Sequence, residues 1–137
     1  MKQIVIILLV VFLSAAGYSQ VSVIANKSVS ETVLNATALA NIYSLSLVKW
    51  NDGVKIVVFD QSSENPQKAK FYKFISKEPL ALRKEWMKKQ FSGEAKAPES
   101  LASDEEILKK VSSTSGSIGY VKSSSVDGSV KVLAEIK

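Results

Sequence analysis

The sequence predicts one α/β layered domain, and three observations carry that reading. Short runs of β-branched residues alternate along the chain with stretches of helical spacing, the pattern of strands covered by helices. One run, VKIVVF at residues 54–59, is apolar nearly throughout, as suits a strand covered on both faces of a parallel or mixed sheet. The chain has 137 residues and no cysteine, so it is one domain's length and its core must hold it without disulfides.

The first twenty residues stand apart. Lys2 is followed by an unbroken apolar run at residues 4–13 and then by Ser14, Ala15, Ala16 and Gly17. A positive start, an apolar centre and small residues make a secretory leader, with cleavage expected near Ser19 or Gln20. The run is shorter than the ~20 residues that span a bilayer; the alternative is a leader retained as a membrane anchor. The domain is therefore expected over residues 21–137.

Within it, residues 21–26 (VSVIAN) read as a strand. Asn35 stands where a helix N-cap would, with Leu34 and Leu39 at the positions of a hydrophobic staple. Ala38, Leu39, Ile42 and Tyr43 follow at helical spacing, and Asn51-Asp52-Gly53 turns the chain before the strand at 54–59. Residues 60–65 are polar and read as a loop. Pro66 and Pro79 each open a helix. Phe71, Phe74 and Ile75 mark the first; Leu82, Trp86 and Met87 share a face of the second, with Phe91 a turn beyond. Residues 92–102 read as a loop. Ser103 with Glu106 forms a capping box ahead of Ile107, Leu108 and Val111. Residues 117–121 (SIGYV) read as a strand. After the turn at Asp127-Gly128, Val130, Val132, Ala134 and Ile136 alternate as on a half-buried strand.

The inventory excludes several kinds of chemistry. With no histidine and no cysteine, serine–histidine and cysteine–histidine nucleophiles are ruled out, along with the commonest metal ligand and the thiol of a lipoprotein. A carboxylate-based hydrolase is the remaining enzymatic alternative, and no nucleophile elbow or metal-ligand cluster supports it. No enzyme activity, cofactor or metal is expected. The net charge of +5 comes from lysines scattered among glutamates, which read as solvated helix faces; nucleic acid is not an expected partner of an exported protein.

Three segments together resemble the phosphate-binding proteins of ABC transporters: LNATALANIYSLSLVKWNDGVKIVV (34–58), PQKAKFYKFI through EWMKKQFSGEAKAP (66–98) and GSIGYV (116–121). They cover nearly all of the chain after the leader. The resemblance implies one lobe of a type 2 periplasmic-binding-protein-like fold, a mixed sheet flanked by helices. It also implies an exported, non-catalytic binding protein, periplasmic or secreted, whose ligand is phosphate or another small oxyanion and whose partner is a transporter or other envelope protein. The membrane would be met only through an uncleaved leader. In the family the lobe offers a Ser/Gly/Thr loop ahead of a helix, whose free amides cradle an anion, and an arginine. Here the equivalent loop is Gln61-Ser62-Ser63-Glu64-Asn65-Pro66, without the glycines or the arginine, and Leu45 stands where the family has glycine.

The candidate ligand residues are Ser62, Ser63 and Asn65 at the Pro66 helix start, Ser115 and Ser117 as further hydroxyls nearby, and Lys96 as a substitute counter-charge. Each has a structural alternative. The first three could simply cap a helix, Ser115 and Ser117 could form a plain helix-to-strand turn, and Lys96 could be a solvated lysine. Trp50, Trp86 and Tyr120 read as core, and Asp104, Glu105 and Glu106 as acids complementing a helix dipole. A structural or docking protein that keeps the fold without the ligand is the alternative function.

Overall fold

The computed structural model describes residues 20–137; the expected leader lies in residues 1–19, outside them. The chain runs β1 (Val21–Ala25), α1 (Ala36–Tyr43), β2 (Val57–Gln61), α2 (Pro66–Phe74), α3 (Pro79–Phe91), β3 (Glu99–Leu101), α4 (Asp104–Ser113), β4 (Ser117–Lys122), a 3-10 turn (Ser123–Ser125) and β5 (Lys131–Ile136). The strands form one five-stranded sheet in the order β3-β2-β4-β1-β5. β2 is parallel to β3 and β4, while β1 is antiparallel to β4 and β5. The expected mixed sheet flanked by helices is thus present.

Strand periodicity divides the core between the two faces. Val21, Val23 and Ala25 of β1 face one side with Leu39, Ile42, Tyr43, Phe71, Leu82, Ile118 and Tyr120, so α1, α2 and α3 cover that side. Ile24 faces the other with Phe59, Ile107, Val111 and Val121, under α4. All five residues of β1 are buried, because it lies inside the sheet with helices on both faces. Gly119 lets α4 approach: a Cβ there would lie 2.9 Å from Cγ2 of Ile107 and 3.2 Å from Cγ2 of Val111.

The caps follow the sequence. Asn35 Oδ1 accepts from the Ala38 amide at 2.8 Å, and Ser103 Oγ accepts from the Glu106 amide at 3.2 Å. Glu106 reaches back one residue further than a capping box requires, its Oε2 accepting from the Ala102 amide. Pro66 and Pro79 both open their helices.

Several expectations are corrected. β2 begins three residues later than expected and takes in Asp60 and Gln61; residues 54–56 instead turn back on the preceding segment, with Lys49 bridged to Lys55. β3 forms inside the expected loop, pairing in parallel with residues 59–61. Three residues are too few to show a period in the sequence. β5 does not alternate strictly: a register shift opposite Val23 and Ile24 buries Val130, Leu133 and Ile136 and leaves Val132 exposed. Met87 and Phe91 of α3 face solvent, Phe91 at 88% exposure. Leu45 sits at φ 63, a left-handed conformation costly for a side chain with a Cβ.

Candidate functional site

Parallel α/β sheets place ligands beyond the carboxyl ends of their strands. Here that position is the end of β2 and the turn into α2. The turn is built on β3: the Ser62 amide donates to the Leu101 carbonyl at 2.9 Å, and Asn65 Nδ2 donates to the Ala102 carbonyl at 3.0 Å. Asn65 Oδ1 accepts from no amide of the helix, so α2 begins with no side-chain cap and with Pro66 in its first turn. The Ser62 hydroxyl oxygen is buried with no hydrogen-bond partner. Ser63 and Glu64 are exposed. The structure thus leaves an open helix start with an unused hydroxyl beside it, the geometry that suits an oxyanion.

Beneath this turn lies a polar centre. Asp60 is 1% exposed. Its Oδ1 accepts from the Tyr120 hydroxyl at 2.6 Å and the Gln61 amide at 2.9 Å. Its Oδ2 accepts from the Tyr72 hydroxyl at 2.5 Å and lies 3.4 Å from Lys68 Nζ. Both oxygens are therefore engaged, as a buried carboxylate requires. Tyr43 donates to the Phe59 carbonyl at 2.9 Å. Phe71 stacks on Tyr120 at 4.1 Å between centroids, and Tyr43 meets Phe71 edge-on at 4.7 Å. Burial first, and then the Asp60 charge, push the phenols of Tyr43, Tyr72 and Tyr120 well above their ordinary range, so they stay protonated donors. Gln61 Nε2 donates to the Tyr120 carbonyl at 2.6 Å and to Asp104 Oδ1 at 3.0 Å, leaving its buried Oε1 unpartnered.

The structure brings Ser62, Ser63 and Asn65 together and separates the others from them. Ser117 pairs with Val57, at the start of the parallel strands, whereas Ser62 follows their end. β2 alone puts roughly 13 Å between the two ends, at ~3.3 Å per residue. The expected grouping of Ser115 and Ser117 with the residue 62–65 turn is therefore corrected. Ser117 is wholly buried, and its hydroxyl donates to the Val111 and Thr114 carbonyls, closing the end of α4. Ser115 is exposed at that same end. Lys96 precedes β3 by three residues and lines a groove beside the first half of β2, again at the wrong end to serve the Pro66 helix start. Trp50 and Tyr120 are core as expected, and Trp86 is half-buried, with its Nε1 donating to the Tyr43 carbonyl at 2.6 Å.

Sequence reasoning missed Asp60, Gln61, Lys68 and Tyr72. The available signal was an acid placed directly after an apolar strand, which reads equally well as the first residue of a solvated loop. Asp104, read as a dipole complement, also accepts from the Lys122 amide and the Ser125 hydroxyl. Among the described residues no cluster of carboxylates could hold a metal ion, and no helix is long and apolar enough to cross a membrane.

No protein-family model matches the sequence, and no curated protein matches it. Solved structures do match its fold. A candidate phosphate ABC transporter substrate-binding protein from Clostridium perfringens, solved with phosphate bound, superposes with a TM-score of 0.70 at 17% identity, over 84% of this chain and 45% of its own. An ABC-type phosphate transport receptor from Vibrio cholerae gives 0.65 at 16% identity, over 86% and 50%. PstS from Borrelia burgdorferi gives 0.63 at 18%, over 85% and 47%. The chain spans about half the length of each.

Proposed function

We propose, for a chain whose fold is that of one lobe of phosphate-transport receptors, that it is an exported, non-catalytic module binding a small oxyanion, phosphate foremost. The ligand sits at the turn between β2 and α2, at Ser62 and Ser63 and the first free amides of α2. The observation that carries this reading is the uncapped start of α2 beside the buried, unpartnered Ser62 hydroxyl. An anion there would take up that hydroxyl and the orphan amides together.

Charge sets the strength. Glu64 lies in the turn and Asp60 beneath it. Lys68, on the first turn of α2, offsets Asp60 at 3.4 Å, but nothing among the described residues pairs with Glu64. A single lobe therefore holds an anion weakly, and closure needs a second surface, supplied by a transport or envelope protein. The structures sharing this fold carry a second half of similar size, which supports a two-sided site.

The test is thermal unfolding of the exported chain with and without millimolar phosphate or sulfate. A ligand confined to the folded state at a hundredfold excess over its dissociation constant adds ~2.7 kcal/mol. An anion-specific rise in Tm, enlarged by Glu64→Ala and lost in Ser62→Ala, is the expected result. No rise in the wild type or in Glu64→Ala counts against the site.

One feature favours the docking alternative. Leu80, Met87 and Phe91 form an outward stripe on α3 at 64%, 52% and 88% exposure, opposite the Leu82 and Trp86 face that meets the core. Apolar side chains on both faces of a surface helix mark a contact surface. Loss of partner capture in Phe91→Ser with unchanged phosphate response would assign docking to α3 and leave the ligand site standing.

A further inference from the structure

At the end of the sheet opposite the Ser62 turn, β2 and β3 diverge. They pair only over residues 59–61, and Pro98, which has no N–H to donate, lies just ahead of β3. A groove of about 390 Å³ opens between the first half of β2 and residues 94–98. It is lined by Ile56 and Val58 of the β2 segment, by Leu47 and Val48, and by Ala95, Ala97 and Pro98. Leu47 and Val48 stand 40% and 38% exposed. The volume falls in the range of small-molecule sites, ~300–1,000 Å³.

The charges around this groove are unbalanced. Lys49 and Lys55 line it and face each other directly across an antiparallel bridge, where like charges repel. Lys96 lines it from the segment ahead of β3. None of these lysines makes an ion pair among the described residues. The two acids on the groove, Glu94 and Glu99, lie 3.8 Å from Lys89 and Lys110 on α3 and α4, outside it. An apolar groove is thus lined by three lysines with no ion-pair partner among the described residues.

We propose that this groove binds a small anionic amphiphile, an alkyl chain with a carboxylate or phosphate head. The chain lies along Ile56 and Val58, and the head meets the lysines that line the groove, Lys49, Lys55 and Lys96. Charge complementarity selects the occupant. A cationic or neutral ligand leaves the facing lysines uncompensated, and a second copy of this groove would set lysines against lysines. A strand-like peptide finds no continuation of the β3 ladder past Pro98. The site is separate from the Ser62 turn and stands whether or not that turn binds phosphate.

The experiment is a heteronuclear NMR titration of the whole chain with octanoate and with octyl phosphate, both below their micelle concentrations, and with octyltrimethylammonium as control. The expected result is saturable shifts at Leu47, Val48, Ile56 and Ala97 with the two anions and none with the cation. Lys49→Gln with Lys55→Gln should weaken binding at least about tenfold, in keeping with loss of charged hydrogen bonds. The same pair of changes should raise the Tm of the free protein, because the repulsion is removed. Ser62→Ala should leave the octanoate-induced shifts at Leu47, Val48, Ile56 and Ala97 unchanged. Equal shifts with cation and anion would overturn the proposal in favour of unspecific apolar adsorption. Absence of shifts at the groove, or a double variant that binds as well as wild type, would overturn it outright. An apolar peptide ending in a carboxylate that binds more tightly than octanoate would overturn the choice of occupant.

Discussion

Asp60 provides the sharpest test of how this lobe is held together. Replacing it with alanine strands two buried phenols, Tyr72 and Tyr120, which now donate at 2.5 and 2.6 Å. A buried donor left without an acceptor costs about 1–3 kcal/mol. Lys68, whose side chain is 12% exposed, can swing toward water, so its loss adds less. Breaking a buried ion pair by removing one partner costs about 3–5 kcal/mol in general, and the two estimates agree. With a urea slope of about 2 kcal/mol/M, the unfolding midpoint of Asp60→Ala should fall by roughly 2 M. Asp60→Asn keeps the shape and one oxygen acceptor, and should lose about half as much. The control is a cycle in the Tyr72→Phe, Tyr120→Phe background, where no phenol remains to be stranded and the cost of Asp60→Ala should shrink to about 1 kcal/mol. A midpoint shift below about 0.5 M would refute the reasoning, since desolvation of Asp60 would then outweigh its contacts. An undiminished cost in the double-phenylalanine background would place the effect elsewhere.

Further outcomes follow from other parts of the molecule. Tyr43, Tyr72 and Tyr120 are held above the ordinary tyrosine value of 10.0, so above that pH the unfolded chain releases protons the folded chain keeps. Stability is complete below about pH 10 and falls above it, by up to ~1.4 kcal/mol per pH unit for each phenol. Urea midpoints at pH 9 and 11 measure this, and absorbance at 295 nm should show these tyrosines ionising only as the protein unfolds. Gly116→Ala should cost about 3 kcal/mol, because the residue sits at φ +73 and a Cβ would meet the Lys55 carbonyl oxygen at 2.5 Å. Gly53→Ala, at φ +85 in open space, should cost only the left-handed term of about 1 kcal/mol; thermal unfolding compares the two. Ser103→Ala removes the cap of α4 and should cost about 1 kcal/mol by urea unfolding.

Local signals were legible where a residue's role depends on its neighbours in the chain. Asn35 and Ser103 cap helices because a cap is a contact within four residues. Pro66 and Pro79 start helices because their fixed φ suits a first turn. The layering of helices on a sheet followed from the alternation of periods, and its mixed character from the family resemblance. Roles that depend on distant segments were not legible. β3 exists because residues 59–61 offer it an edge. The end of β2 extends through Asp60 because Tyr72, Tyr120 and Lys68 arrive from α2 and β4 to satisfy a carboxylate that the sequence alone assigns to water.

The same division separates the candidate ligand residues. Ser62, Ser63 and Asn65 stay together because they are contiguous. Ser115, Ser117 and Lys96 fell to the other end of the sheet because parallel pairing sets the start of β4 beside the start of β2 and leaves the residues ahead of β3 beside the first half of β2, a fact of strand direction that composition does not encode. By itself the sequence determined the α/β class, the helix starts, the lack of histidine and cysteine chemistry and the positive charge. Only the tertiary structure decided which polar groups are buried, which helix start is left open, and where three lysines meet an apolar groove, because each of these depends on which distant segments pack against one another.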